Sequence, residues 1–280
     1  MKMNEMRSRR EFLRNMSGTI LGTGLIRTAL SASRSATSRQ AIPPDIHDYD
    51  FILARVKFDS DRKAGDGWNI QPAGDNYLLD ELSKAVRCRV KLIPGISRGR
   101  PGGGSINHFN AVVDLNYADD LHKLPFLFMT AGGHFKFNSA QKHNFKNYVE
   151  QGGFILMDDC VAHGPGDYFY HSSCQLLEHL FGKAAVKEIG TGHEIFHNIY
   201  DLSHVGMPYV QGTNWPPRGI FIEDRLAVLL TSTDIHCGWA DRTQTWFGPN
   251  VTRRFGGRGI HGYNESIKMG INLIMYVLSH

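Results

Sequence analysis

The sequence predicts an α/β domain built on a doubly wound, mainly parallel sheet. Three observations predict it. Short apolar runs of strand length recur along the chain, at Phe51–Val56 (interrupted by Arg55), Pro125–Thr130 and Phe154–Met157. Unbroken apolar runs belong to strands covered on both faces, which is the habit of parallel sheets. Segments with helical apolar spacing separate these runs, and strand–helix alternation is the mark of α/β architecture.

Each element has its own justification. Residues 1–40 read as a leader, 41–50 with Pro43-Pro44 as a linker, and 51–280 as one domain. After the Phe51–Val56 strand, Asn76 to Arg87 carries apolar residues at 78, 79, 82, 85 and 86, a helical face. Cys88–Ile93 and Ala111–Leu115 read as strands, with a glycine- and arginine-rich loop, Gly95 to Ser105, between them. Pro125–Thr130 is a buried strand ended by Gly132-Gly133. Asn138-Ser139 can cap a helix to Glu150, and Gly152-Gly153 stops it before the Phe154–Met157 strand. A helix over about Tyr170–Phe181 ends at Gly182, Ile220–Ile222 and Leu226–Thr231 flank a Glu-Asp-Arg turn, and Ser266–Leu278 closes the chain as a helix.

The chain is 280 residues and 31.4 kDa, with 41% hydrophobic and 21% charged residues and a mean hydropathy of −0.29. That balance excludes a disordered chain, a collagen-like repeat and a polytopic membrane protein. Charge is uneven: residues 1–40 hold eight bases against two acids, leaving 23 against 25 over 41–280. The basic excess sits in the leader, so the body gives no footprint for nucleic acid. Within the leader, Ser8-Arg9-Arg10-Glu11-Phe12-Leu13-Arg14 matches the twin-arginine export pattern, and Met16–Leu30 is too short and polar for a bilayer span. The expectation is a periplasmic or otherwise exported protein, carried by the twin-arginine machinery, with no transmembrane span in the mature chain. In such a compartment Cys88, Cys160, Cys174 and Cys237 allow three disulfide pairings, or buried thiols; none forms a CxxC pair.

The strings PFLFMTAGGHF (Pro125–Phe135), YVEQGG (Tyr148–Gly153), FILMDDC (Phe154–Cys160), HEIFHNIYDL (His193–Leu202), CGW (Cys237–Trp239) and GINLIMYVL (Gly270–Leu278) resemble the bacterial family called domain of unknown function 4159. The resemblance covers roughly residues 50–280. It implies a flavodoxin-like fold similar to the class I glutamine amidotransferase superfamily, and it brings no established activity.

Ligands of such sheets sit beyond the carboxyl ends of the strands. There the sequence puts Gly132-Gly133-His134, then Asp158-Asp159-Cys160-Val161-Ala162-His163, then Asp234-Ile235-His236-Cys237. His134, Asp158 and Asp159 are the candidate catalytic residues and also the candidate metal ligands. Arg55, His163, Asp234 and His236 are candidate binding residues. Histidines and carboxylates at one edge suit acid/base hydrolysis or a lyase step, and a divalent metal is one cofactor that would suit them. The competing reading is structural, since an Asp after a buried strand often only caps the next helix. Arg55 is the candidate counter-ion for the paired aspartates. A small-molecule or carbohydrate-like ligand fits either an enzyme or its rival, a non-catalytic exported binding or scaffold domain.

Two sharper motifs fail on context. His193-Glu194-Ile195-Phe196-His197 is a literal HExxH, yet Ile189-Gly190-Thr191-Gly192 is a poor helix lead-in, and Tyr200 and Ser203 stand where an extended zinc motif needs Gly and His. A turn is expected there, and a metalloprotease is disfavoured. Cys160 lacks the flanking glycines of a nucleophile elbow, and Asp158 and Asp159 beside it oppose thiolate formation, so a glutaminase mechanism is disfavoured as well. The Pro101–Ser105 loop lacks a P-loop lysine. Arg253–Gly259 reads as a solvated basic loop before an anion clamp.

Overall fold

The computed structural model describes residues 42–61, 67–96, 104–119, 121–160, 167–239 and 259–280, without the side chains of 259–263. The leader, His163 and the basic run from Arg253 to Arg258 lie outside the described residues.

Among the described residues one sheet holds seven strands: β1 (Ala54–Lys57), β2 (Ala111–Asp114), β3 (Phe126–Ala131), β4 (Phe154–Asp159), β5 (Lys187–Glu188), β6 (Arg218–Ile222) and β7 (Arg225–Thr231). Their order is β2-β1-β3-β4-β7-β6-β5. The first five in that order run parallel, β6 pairs antiparallel with β7, and β5 pairs antiparallel with β6 at the edge. The predicted mainly parallel, doubly wound sheet is the one found. Among the described residues four α-helices cover it: α1 (Pro72–Val86), α2 (Ser139–Glu150), α3 (Tyr168–Phe181) and α4 (Gly259–Ser279).

The two faces are covered by different helices. Leu127, Met129, Ile155 and Met157 pack with Phe145 and Val149 of α2 and Phe169 and Leu177 of α3. Phe126, Phe128, Phe154 and Leu156 pack with Leu78, Leu79 and Leu82 of α1 and with Ile271, Leu273 and Ile274 of α4. Alternate residues of one strand thus feed opposite cores, as the pleat requires. Every residue of β3 and β4 is buried, the continuous pattern that predicted them.

Local chemistry sets the ends. Asn138 caps α2 by accepting from the Gln141 amide, and the Gln141 side chain answers at the Asn138 amide. Glu223 takes the left-handed region (φ 55°) in the two-residue turn between β6 and β7. Cys88–Ile93 does not form the expected strand and makes one isolated bridge, Phe51 to Val90. Side chains take its main-chain groups instead: Asp50 accepts from the Arg89 amide, Asn76 Oδ1 accepts from the Ile93 amide, and Asn110 donates to the Lys91 carbonyl. Ile42, Ile46 and Tyr49 of the expected linker pack against the core on the α2/α3 side. Among the described residues no helix is long and apolar enough to cross a membrane.

Candidate functional site

β3, β4 and β7 are parallel neighbours, with Thr130 opposite Asp158 and Asp158 opposite Thr231. The residues following these strands therefore gather at one edge, as the sequence leads one to expect. Within that edge the pleat sorts them.

On the α1/α4 side, Arg55 of β1 is fully buried and its guanidinium grips Asp75 of α1 with both arms, Nε to Oδ2 at 2.7 Å and Nη2 to Oδ1 at 2.6 Å. It also donates to the carbonyls of Trp68 (3.0 Å) and Ile70 (3.2 Å) and lies 4.4 Å over the Phe128 ring. Arg55 Nη2 stands 2.8 Å from His236 Nε2. An arginine has no lone pair to offer, so Nε2 must accept and the imidazole is neutral. Burial first, and the Arg55 charge second, hold His236 well below the usual histidine range, which agrees.

Asp158 occupies the same side. Its Oδ1 accepts from the Thr231 hydroxyl (2.7 Å) and the Ile235 amide (3.3 Å), and its Oδ2 accepts from the His236 amide (2.9 Å). These bonds fasten the loop after β7 to the end of β4. Burial, reinforced by Asp234, pushes the carboxyl up to about 8 despite those donors.

Asp159, one residue on, points to the other face. Its Oδ2 accepts from the amide of Tyr170, the third residue of α3, so it caps that helix from the sheet. Burial raises it to about 8, the Tyr170 amide opposing and Asp167 adding. Its Oδ1 is buried without a hydrogen-bond partner.

His134 is with α3 too: Nδ1 lies 3.1 Å from the Ser172 hydroxyl and the ring stands 4.8 Å from that of Tyr168. Its main chain pairs with Asp61, amide to Oδ1 and carbonyl from the Asp61 amide, both 2.9 Å. His134 and Asp158 therefore lie on opposite faces of the sheet and do not share a crevice. Arg55 counters Asp75 and not the paired aspartates.

A third group was not evident from spacing. Cys160, directly after β4, and Cys237, in the turn after β7, bring their Sγ atoms to 4.0 Å. Asp234 completes the group: with one carboxylate oxygen counted, the three ligand atoms lie within 4.8 Å of one another, and all three residues are buried. Asp234 sits in the left-handed region (φ 53°), where Asp is among the residues that tolerate it. Its Oδ1 accepts from the Cys237 amide, and the Gln211 side chain donates to Oδ2. These residues are the described ones best able to hold a metal. The Cys160 thiol's hydrogen bond works to lower Cys237, but burial and the acids Asp234 and Asp158 outweigh it and push the thiol up to about 12.

HEIFH forms a short 3₁₀ turn, Glu194–Phe196, capped by His193 accepting from the Ile195 amide. No helix aligns His193 with His197, so the zincin geometry is missing. Two surface cavities lie elsewhere. One of about 440 Å³ includes Tyr77, Lys84 and Lys268 between α1 and α4, and one of about 360 Å³ includes His171, Trp215 and Arg218 beside α3. Neither is lined by His134, Asp158, Asp159, Asp234 or His236.

The frame and this edge define an α/β domain with a doubly wound, mostly parallel core and an antiparallel extension. The model of the domain of unknown function family DUF4159 matches residues 52–278, and the chain belongs to that family. No curated protein matches the chain.

Proposed function

We propose that this chain is an exported, non-catalytic binding domain whose edge carboxylates fasten the fold. The observation that carries the reading is the division of the acid/base groups. His134 and Asp158 face opposite cores, and Asp158 and Asp159 are fully buried with main-chain amides on them. A shared acid/base step needs both groups within reach of one reacting atom. Export rests on the Ser8–Arg14 pattern. The ligand seat is the cavity beside α3. There Trp215 is 43% exposed, with its indole N–H fixed on Asp167 at 2.9 Å and His171, Gln175 and Arg218 around it. An oriented aromatic face rimmed by polar groups suits a small ligand with an apolar face and a hydroxylated edge, such as a sugar ring.

One observation favours the hydrolase or lyase reading: carboxyls raised to about 8 hold a proton at neutral pH, as a general acid must. Asp158→Asn separates the two. The amide can accept from the His236 main chain and donate to the Thr231 hydroxyl, giving up the longer Ile235 bond, while ending any proton transfer. Chromogenic ester, phosphoester, glycoside and amide substrates should show no turnover that this variant abolishes. Turnover lost in a folded Asp158→Asn protein would overturn the binding reading. Trp215→Ala should remove thermal shifts produced by neutral mono- and oligosaccharides.

A further inference from the structure

We propose that Cys160, Cys237 and Asp234 form a closed site for one divalent transition-type cation, zinc by its chemistry, which ties the end of β4 to the loop after β7.

The geometry is close to what such an ion needs. Zn–S bonds of about 2.3 Å and Zn–O bonds of about 2.0–2.2 Å put the ligand atoms of a tetrahedral zinc roughly 3.6–3.8 Å apart. The two sulfurs stand at 4.0 Å, and the whole set falls within 4.8 Å. Small rotations of the side chains close that gap without moving the strands. Gln211 supplies a fourth position. It is 2% exposed, and its amide nitrogen touches Asp234 and lies 3.9 Å from Cys237 Sγ. Turning that amide over presents its oxygen to the same point, and the orientation of an amide is set by the partner it meets.

Charge sets no barrier to binding. A divalent ion on two thiolates takes the place of the two thiol protons it displaces, so the net charge of this buried corner is unchanged. Two thiolates select a borderline-soft ion over magnesium or calcium, which prefer all-oxygen shells. On binding, each thiol sulfur forms a bond to the metal and its proton leaves to solvent, with no change of oxidation state.

The test uses the full chain, reduced, stripped with a chelator and titrated with Co²⁺. One equivalent should give a sulfur-to-cobalt charge-transfer band with the intense visible bands of a tetrahedral site, and Zn²⁺ should displace it while Mg²⁺ does not. Cys160→Ser with Cys237→Ser should abolish the band, and Cys88→Ser with Cys174→Ser should leave it. Asp234→Asn should weaken Zn²⁺ binding at least about 10-fold. A band that is absent from the wild type, that follows Cys88 and Cys174, or that yields equally to Mg²⁺ overturns the proposal. Should the double serine variant not fold, X-ray absorption of the zinc-loaded wild type decides: two sulfurs in the metal shell are expected, and a shell without sulfur is contrary. A Cys160–Cys237 disulfide as the resident state of the chain isolated without reductant would also overturn it.

Discussion

Removing Asp75 should be the most damaging single change at the carboxyl edge. Asp75→Ala leaves the Arg55 guanidinium buried, with its Nε–H and one Nη2–H without their acceptor. The retained bonds to Trp68 and Ile70 carbonyls and the Phe128 ring supply no opposite charge. Breaking a buried pair by deleting one partner costs about 3–5 kcal/mol. For a domain of this size each kcal/mol shifts the melting midpoint by roughly 2–4 °C, so the loss is about 6–20 °C. Circular-dichroism melts and urea titrations of wild type, Asp75→Ala, Asp75→Leu, Arg55→Met and the double variant Arg55→Met/Asp75→Leu measure it, the last three closing the cycle with wild type. The double variant should recover much of the loss, with a coupling of at least about 2 kcal/mol, because replacing both charges removes the uncompensated one. The Trp68 and Ile70 carbonyls then keep it short of full recovery. Single variants within about 1 kcal/mol of wild type, or a double variant that simply adds the two losses, would refute the assignment of Arg55 and Asp75 as one buried unit.

The metal-free protein should lose stability between about pH 6.5 and 8. Asp158 and Asp159 hold protons up to about 8 in the folded chain but ionise near 3.8 when unfolded. The folded state therefore binds more protons in this window, and stability falls as pH rises, by at most about 1.4 kcal/mol per unit per group. Below about 6.5, His236 opposes the trend, because unfolding lets it take up a proton it refuses when folded. Urea midpoints at half-unit steps check the sign, and a rise in stability from pH 6.5 to 8 would be the wrong sign. His134→Ala should cost no more than about 1 kcal/mol, since the half-buried ring gives up one bond to the Ser172 hydroxyl. A much larger loss in the same melts would mean that His134 holds the β3–α3 junction together.

The sequence carried the frame well and the site only in part. β3, α2 and β4 were legible because unbroken apolar runs, an Asn138 cap and a glycine stop all agree locally. The two-residue β5 has no apolar pattern, with both residues exposed, and its pairing with β6 is a tertiary matter. Cys88–Ile93 has a strand's composition, but Asp50, Asn76 and Asn110 take its backbone groups. Strand parity puts adjacent Asp158 and Asp159 on opposite faces whatever the fold, so their separation was readable. Which face His134 joins was not, because two glycines lie between it and β3. The Arg55–Asp75 pair spans a loop and a helix turn with no motif. Cys160 and Cys237 are 77 residues apart and meet only because β4 and β7 are neighbours, which strand order alone reveals.

The claim that the edge carboxylates fasten the fold is tested most directly by the unfolding free energy of Asp158→Ala beside Asp158→Asn near pH 6. Alanine strands the Ile235 and His236 amides and the Thr231 hydroxyl in a buried site, each worth about 1–3 kcal/mol when left unmet. Asparagine keeps the shape and two of the three bonds, its oxygen accepting from the His236 amide and its NH2 donating to the Thr231 hydroxyl. Both variants lack the ionisable group, so the difference between them is free of its titration. The account predicts the alanine variant to be less stable than the asparagine variant by at least about 1 kcal/mol. An alanine variant as stable as the asparagine variant would contradict the account.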